Sequence, residues 1–212
     1  MKQKKKWSIA FKYNYCDRNG RWFSGICSNS QMETNVNKAR WCSNKGSQCY
    51  NHIKKGAPIN TRSFVCYERL FLKKWIAYAG VEKRGHKIPI KRDCSNKIAI
   101  MTTRDPGTPE KDRFIFAVFV VDSWNYGNGM TPGNVSSNKL LKIEISPAIA
   151  RTIKFWNYYK TKSGKQIWGC RLHRYLDDEL IDKLLNDLYK KHNIKEAKDL
   201  LDHLKNNQEK AR

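Results

Sequence analysis

No apolar run in the sequence is long enough to cross a bilayer. The longest, Phe114 to Val121, has eight residues, against about 20 for a spanning helix. A secretion leader is also missing. Met1-Lys-Gln-Lys-Lys-Lys is suitably basic, but Trp7 to Tyr15 alternates polar and apolar residues where an apolar core should stand. The expected location is therefore cytoplasmic, with no membrane partner. Thiols stay reduced there, and the seven cysteines, an odd number, argue for metal ligation or burial over a disulfide framework. Enzyme signatures are absent too: there is no Walker loop, no G-x-S-x-G and no H-E-x-x-H. No internal repeat and no βαβ alternation appears, which argues against a doubly wound nucleotide-binding fold. Acids are scarce, with 19 Asp plus Glu against 42 Lys plus Arg, giving a net charge of +23 over 212 residues. Nucleic acid is the polyanion that such a charge suits. An aromatic content of 12% argues against a disordered basic tail.

Strand signals come first along the chain. Trp7, Ile9, Phe11, Tyr13 and Tyr15 alternate and predict a half-buried strand. Asn19-Gly20 predicts a hairpin turn, with Arg21 to Cys27 as the returning strand. Ser28 to Gly56 is rich in Asn, Ser and Lys and reads as irregular. Dense apolar residues from Ser63 to Ala79 read as strand then helix, and Gly80 to Lys91 as a basic loop. Lys97 to Thr103 and Phe114 to Val121 predict buried strands, the second one central. Asn125 to Asn138 reads as a loop, and alternating Leu141, Ile143 and Ile145 as a strand. Ser146-Pro147 predicts a helix start, with Ile149, Ile153 and Trp156 at helical spacing. Two leucine-striped helices close the chain, one opened by Asp177-Asp178-Glu179, the other about Ile194 to Leu204. Strands first and helices last predict an α+β fold, a curved mixed sheet or small barrel with flanking helices. The implied division is 1–62 for the hairpin and Cys-rich segment, 63–176 for the barrel core, and 177–212 for the C-terminal helices.

Three sets of residues carry candidate chemistry. Cys16, Cys27, Cys42 and Cys49 lie within one polar segment, and four thiolates suit a closed, structural zinc site. The bound metal would supply folding energy that this segment lacks. His52 could replace one thiolate, and an iron–sulfur cluster is the other option. Cys66, Cys94 and Cys170 are scattered and read as inert thiols. The second set is aromatic: Trp124, and Trp156 with Tyr158 in the run Phe155-Trp156-Asn157-Tyr158-Tyr159, are candidates to line a pocket for a base. The third set is basic. Lys2, Lys4, Lys5 and Lys6 form one run, while Lys83, Arg84, His86, Lys87, Lys91 and Arg92 form a second, and both suit phosphate contacts. Asp105, Glu110 and Asp112, close to Lys111, are the residues a metal nuclease would need, but they sit in a Pro-containing loop.

The run Ala99-Ile-Met-Thr-Thr-Arg104, then Glu110-Lys-Asp-Arg-Phe-Ile-Phe-Ala-Val-Phe119, then Trp124, resembles the central strands of PUA-like domains, the group of EVE, YTH, ASCH and SRA modules. The likeness covers roughly Lys97 to Tyr175. It implies a small curved barrel that binds DNA or RNA, with Trp124 and the Phe155 to Tyr159 group as pocket candidates. Prokaryotic relatives often accompany modification-dependent restriction systems, so it also implies a reader of modified bases, with nuclease activity supplied by a partner protein. The expected function is thus a non-enzymatic, zinc-stabilised nucleic-acid-binding protein. A small nuclease or nucleic-acid-modifying enzyme, and an interaction protein for an acidic partner, are the alternatives.

Overall fold

The computed structural model describes the chain except at residues 1–4, 14–16, 19–20, 23–26, 39–41, 61–66, 83–84, 106, 170–171 and 210–212. Within the described residues the protein is α+β. In chain order its strands are β1 (Ser8–Lys12), β2 (Asp17–Arg18), β3 (Arg21–Trp22), β4 (Ile76–Tyr78), β5 (Ile98–Thr103), β6 (Phe114–Asn125), β7 (Asn134–Glu144) and β8 (His173–Leu176). Six of them form one mixed sheet in the order β4-β7-β6-β5-β1-β8, while β2 and β3 pair separately. β1 runs parallel to β5, and every other pairing in the sheet is antiparallel.

The strand expected over the alternating N-terminal residues is present, but it is not half-buried. Ser8, Ile9, Ala10 and Phe11 are all fully buried, because β1 is an inner strand with β5 on one side and β8 on the other. Its polar position is satisfied within the protein: Ser8 Oγ accepts from the backbone N–H of Ile98. β6 is central as expected, and Phe114 to Val121 are all buried, so both of its faces are covered. It runs on to Asn125. β7 begins at Asn134, which confines the intervening loop to 126–133.

Three register shifts bend the sheet, one between β5 and β6 and two between β6 and β7. Met101 pairs with Ala117 but Thr102 pairs with Ile115, so β6 carries one extra residue there. That extra residue lets Phe116 and Phe119, an odd three positions apart, both approach Phe71, with ring centroids at 5.9 Å in each case. Further along, Phe119 pairs with Lys142 and Val121 with Ser137, so two steps on β6 oppose five on β7. The surplus bulges outward and leaves Leu140 88% exposed.

The curl brings the two sheet edges together. A Cβ on Gly80, just past β4, would lie 2.6 Å from Leu172 Cδ1, just before β8. Tyr13, just past β1, accepts the Tyr78 backbone N–H of β4 on its hydroxyl at 3.1 Å. A single apolar core runs through this curl and under the C-terminal helices α5 (Asp178–Lys190) and α6 (Glu196–Glu209). Ile181, Leu184, Leu185 and Leu188 of α5 and Ala197, Leu200, Leu201 and Leu204 of α6 are buried. Each large side chain among them contributes about 1.5–3 kcal/mol of transfer free energy.

Several sequence expectations are corrected. Ser28 to Gly56 is not irregular: it holds α1 (Asn29–Lys38) and α2 (Gln48–Lys55). The cause is capping. Ser28 Oγ accepts from Gln31 N–H and Ser47 Oγ from Tyr50 N–H, while Gly56 at φ +68° closes α2 by donating to Asn51 and His52. Met32 and Val36 of α1, with Cys42 and Cys49, form a second, small core. In the next segment the order is reversed, with α3 (Tyr67–Lys74) preceding β4. Trp75 makes the junction at φ +55°, in the left-handed region, where its ring packs on Phe71 and Phe119. The helix expected from Ser146 to Trp156 is one turn only, α4 (Pro147–Ala150). Pairing to β6 takes over: Ile115 N–H donates to Ile153 O and Phe155 N–H to Arg113 O. Ile149 is therefore 40% exposed, and Trp156 sits in a 3-10 turn, Phe155–Asn157.

Candidate nucleic-acid interface

The basic loop after β4 is pinned at several points. Ile88 N–H donates to Gly80 O, Gly133 N–H to Ile88 O, and Ile90 N–H to Tyr126 O, which fastens the stretch to the β6–β7 end. It then reaches β1 and β8, where Trp7 N–H donates to Asp93 O and Arg92 N–H to the Tyr175 hydroxyl. Residues 86–93 thus form a strap across one end of the sheet. Lys91 and Arg92 are exposed on it, and Lys87 is half-buried in a bridge to Val81. Lys83 and Arg84 lie outside the described residues.

At the end of the strap the fold joins two basic clusters that are far apart in sequence. The Arg92 guanidinium carbon lies 4.0 Å from the Trp7 ring centroid and 4.9 Å from that of Tyr175. Lys5 Nζ lies 4.1 Å from the same Trp7 centroid. Trp7 and Tyr175 meet edge-to-face at 6.3 Å, and Tyr175 meets His173 at 5.4 Å. Lys5, Lys6, Lys91 and Arg92 are exposed and the two rings half-buried. Each exposed cation–ring contact is worth about 0.5–1 kcal/mol, enough to order the side chains and weak enough to exchange. Burial raises the Tyr175 pKa, and the Arg92 backbone N–H that its hydroxyl accepts opposes that shift. Sequence reasoning placed Lys5 and Arg92 in separate clusters and did not single out Trp7 or Tyr175. Only the parallel pairing of β1 with β5 and the return of β8 beside β1 assemble them.

The expected aromatic pocket residues go to different places. Trp124 is half-buried, its Nε1–H donating to Ile90 O at 3.1 Å, next to Tyr126, which is 49% exposed. Trp156 is buried, donates to Glu110 O at 2.6 Å, and packs on Phe155, Tyr159 and Trp168. Tyr158 points away from that group and donates to Asp187 Oδ2 at 3.1 Å. Burial and the Asp187 charge raise its pKa. Trp168, not singled out from the sequence, is 1% exposed, with the guanidinium carbons of Arg113 and Arg174 at 5.1 and 5.6 Å from its ring. Its Nε1–H and the Arg174 Nε–H are buried without a hydrogen-bond partner.

Two of the three loop acids, Asp105 and Glu110, are taken up by arginines. Glu110 holds buried Arg113 in a bidentate pair and lies 3.6 Å from Arg104, and Asp105 pairs with Arg151 at 3.1 Å. Those carboxylates are committed to structure.

Of the cysteine set, Cys42 and Cys49 are buried in the small second core and Cys27 packs against it; Cys16 lies outside the described residues. Among the described residues no group of three His, Cys, Asp or Glu side chains is placed to hold a metal ion. His52 Nδ1 is engaged with Ala57 O at 2.8 Å and Nε2 with Asn29 Oδ1 at 3.2 Å, so replacing a thiolate ligand would cost it one of those contacts. Cys94 is buried, its thiol pushed up to about 12 by burial and then by Asp93. Cys66 and Cys170 lie outside the described residues. No helix among the described residues is long and apolar enough to cross a membrane. No protein-family model matches this chain, and comparison with curated proteins and with solved structures finds no match.

Proposed function

We propose that this chain is a cytoplasmic nucleic-acid-binding protein that contacts its target through the Lys5–Trp7–Arg92–Tyr175 ladder and the lysines around it. The ladder carries this reading, because a net charge of +23 alone attracts any polyanion. Interleaved rings and cations on a rigid sheet edge add a means of gripping bases as well as phosphates. The curled mixed sheet, with its edges drawn together at Gly80 and Leu172, supports the small PUA-like barrel expected from the sequence. A reader of modified bases in prokaryotic defence, working beside a nuclease partner, follows from that likeness. Trp124 beside exposed Tyr126 is the best-placed ring of the expected set for reading a base. Commitment of Asp105 and Glu110 to arginines favours binding over hydrolysis. Zinc held by Cys16, Cys27, Cys42 and Cys49 belongs to the same proposal, supported by the small size of the N-terminal core, whose few side chains leave folding energy for a metal to supply.

The test is oligonucleotide binding at two salt concentrations. Affinity should fall steeply with salt as counterions are released. Changing Lys91 and Arg92 together to Ala should weaken every sequence similarly and flatten the salt dependence. Salt-insensitive binding, or none at low salt, would remove the reading.

A further inference from the structure

We infer that the ladder takes an unpaired strand and not a duplex. This rests on the nucleic-acid reading above. A base offers its face to a protein ring only when it is out of its own stack. In a duplex, base edges are reached by an element narrow enough to enter a major groove ~12 Å wide. The ladder is no such element. Trp7 directly precedes inner strand β1 and is tied to Asp93 O, and Tyr175 lies within edge strand β8 and accepts from Arg92 N–H. Both rings are therefore fixed along the side of a sheet, half-buried, and cannot advance into a groove. Nor do the long C-terminal helices replace them. α5 carries Asp178, Glu179, Asp182 and Asp187 against Lys183 and Lys190, and α6 carries Glu196, Asp199, Asp202 and Glu209 against Lys198 and Lys205. Two net-acidic helices repel the phosphates on either side of a groove.

An extended strand meets the same residues on favourable terms. Its phosphates find exposed Lys6, Lys91 and Arg92. Its bases find a Trp7 ring partly covered by Lys5, an exposed side chain that can move from the ring to a phosphate. Arg92 stays against both rings and holds a fixed positive charge beside them for a phosphate.

The experiment measures fluorescence anisotropy of a labelled 15-nucleotide single strand and of the same sequence as a duplex, on the full chain at low salt. Trp7→Leu and Tyr175→Leu are run beside it, their folding followed by thermal melts. The single strand should bind at least tenfold more tightly. Trp7→Leu should lower single-strand affinity about tenfold while leaving the duplex nearly unchanged. Tyr175→Leu, which removes the second ring, should likewise lower single-strand affinity more than duplex affinity, so a Trp7 variant that fails to fold does not leave the ring contact untested. Equal or tighter duplex binding, or equal losses on both forms in folded Trp7→Leu, overturns the inference and leaves the nucleic-acid reading standing. Absence of binding to either form removes both.

Discussion

Trp156 and Trp168 are neighbouring buried indoles that differ in one hydrogen bond. Trp156 Nε1–H reaches Glu110 O, whereas Trp168 Nε1–H has no acceptor. Replacing each by Phe removes similar ring volume, but only the first change breaks a bond. Trp156→Phe should therefore cost about 1 kcal/mol more than Trp168→Phe, measurable by denaturant unfolding of the two proteins. Asp187 offers a charge-based counterpart. Burial raises its pKa, but hydrogen bonds from Lys191 and Tyr158 outweigh that and leave it depressed. A depressed carboxylate stabilises the fold above its unfolded value, about 3.9, and loses that contribution as pH falls through the folded value. The stability advantage of wild type over Asp187→Asn should be full at pH 6 and shrink below about pH 4. An advantage independent of pH would show that the carboxylate's charge is irrelevant to the Tyr158 tether.

At the level of elements, the strap depends on a glycine. A Cβ on Gly133 would fall 2.4 Å from Ile90 N and 2.6 Å from Tyr126 O, the two atoms that bond the strap to the hairpin end. Gly133→Ala should cost about 1–3 kcal/mol from overpacking, plus part of that hydrogen bond. Gly129→Ala, in the same hairpin, meets nothing within 4 Å and carries only the strain of its φ of +79°, about 1–2 kcal/mol. Thermal melts of both variants should place Gly133→Ala lower. Strong periodicity made β6, α5 and the stripe of α6 legible in the sequence. α1 and α2 were missed because capping by Ser28, Ser47 and Gly56 holds helices whose residues are mostly polar. The short α4 was overestimated because Ile153 and Phe155 are drawn into backbone bonds with β6, a demand that helical spacing cannot reveal. Lys91 and Arg92 were legible as basic residues. Their partners Trp7 and Tyr175 were not, since they lie more than 80 residues away on either side and meet them only through sheet order.

For the whole molecule, the metal proposal predicts about one zinc per chain, as a four-thiolate site requires. Cys42→Ser should release it and expose the α1–α2 segment to proteolysis while leaving the sheet intact. Freshly purified protein free of zinc and iron would end that proposal. Net charge makes a separate demand: at +23 the chain repels itself, so stability should rise with moderate salt even as nucleic-acid affinity falls. The order of the sheet also sets a timetable. β1 leaves the ribosome well before its partners, Ile98 to Thr103 and His173 to Leu176. At about 5–20 residues per second, roughly 10–30 s of synthesis separate β1 from β8. Until β5 emerges Ile9, Ala10 and Phe11 have no sheet to enter, and until β8 follows one side of β1 stays unpaired. The nascent chain therefore carries a sticky segment from the emergence of β1 until β5 and then β8 cover it, and this is the stage at which aggregation or chaperone capture would act.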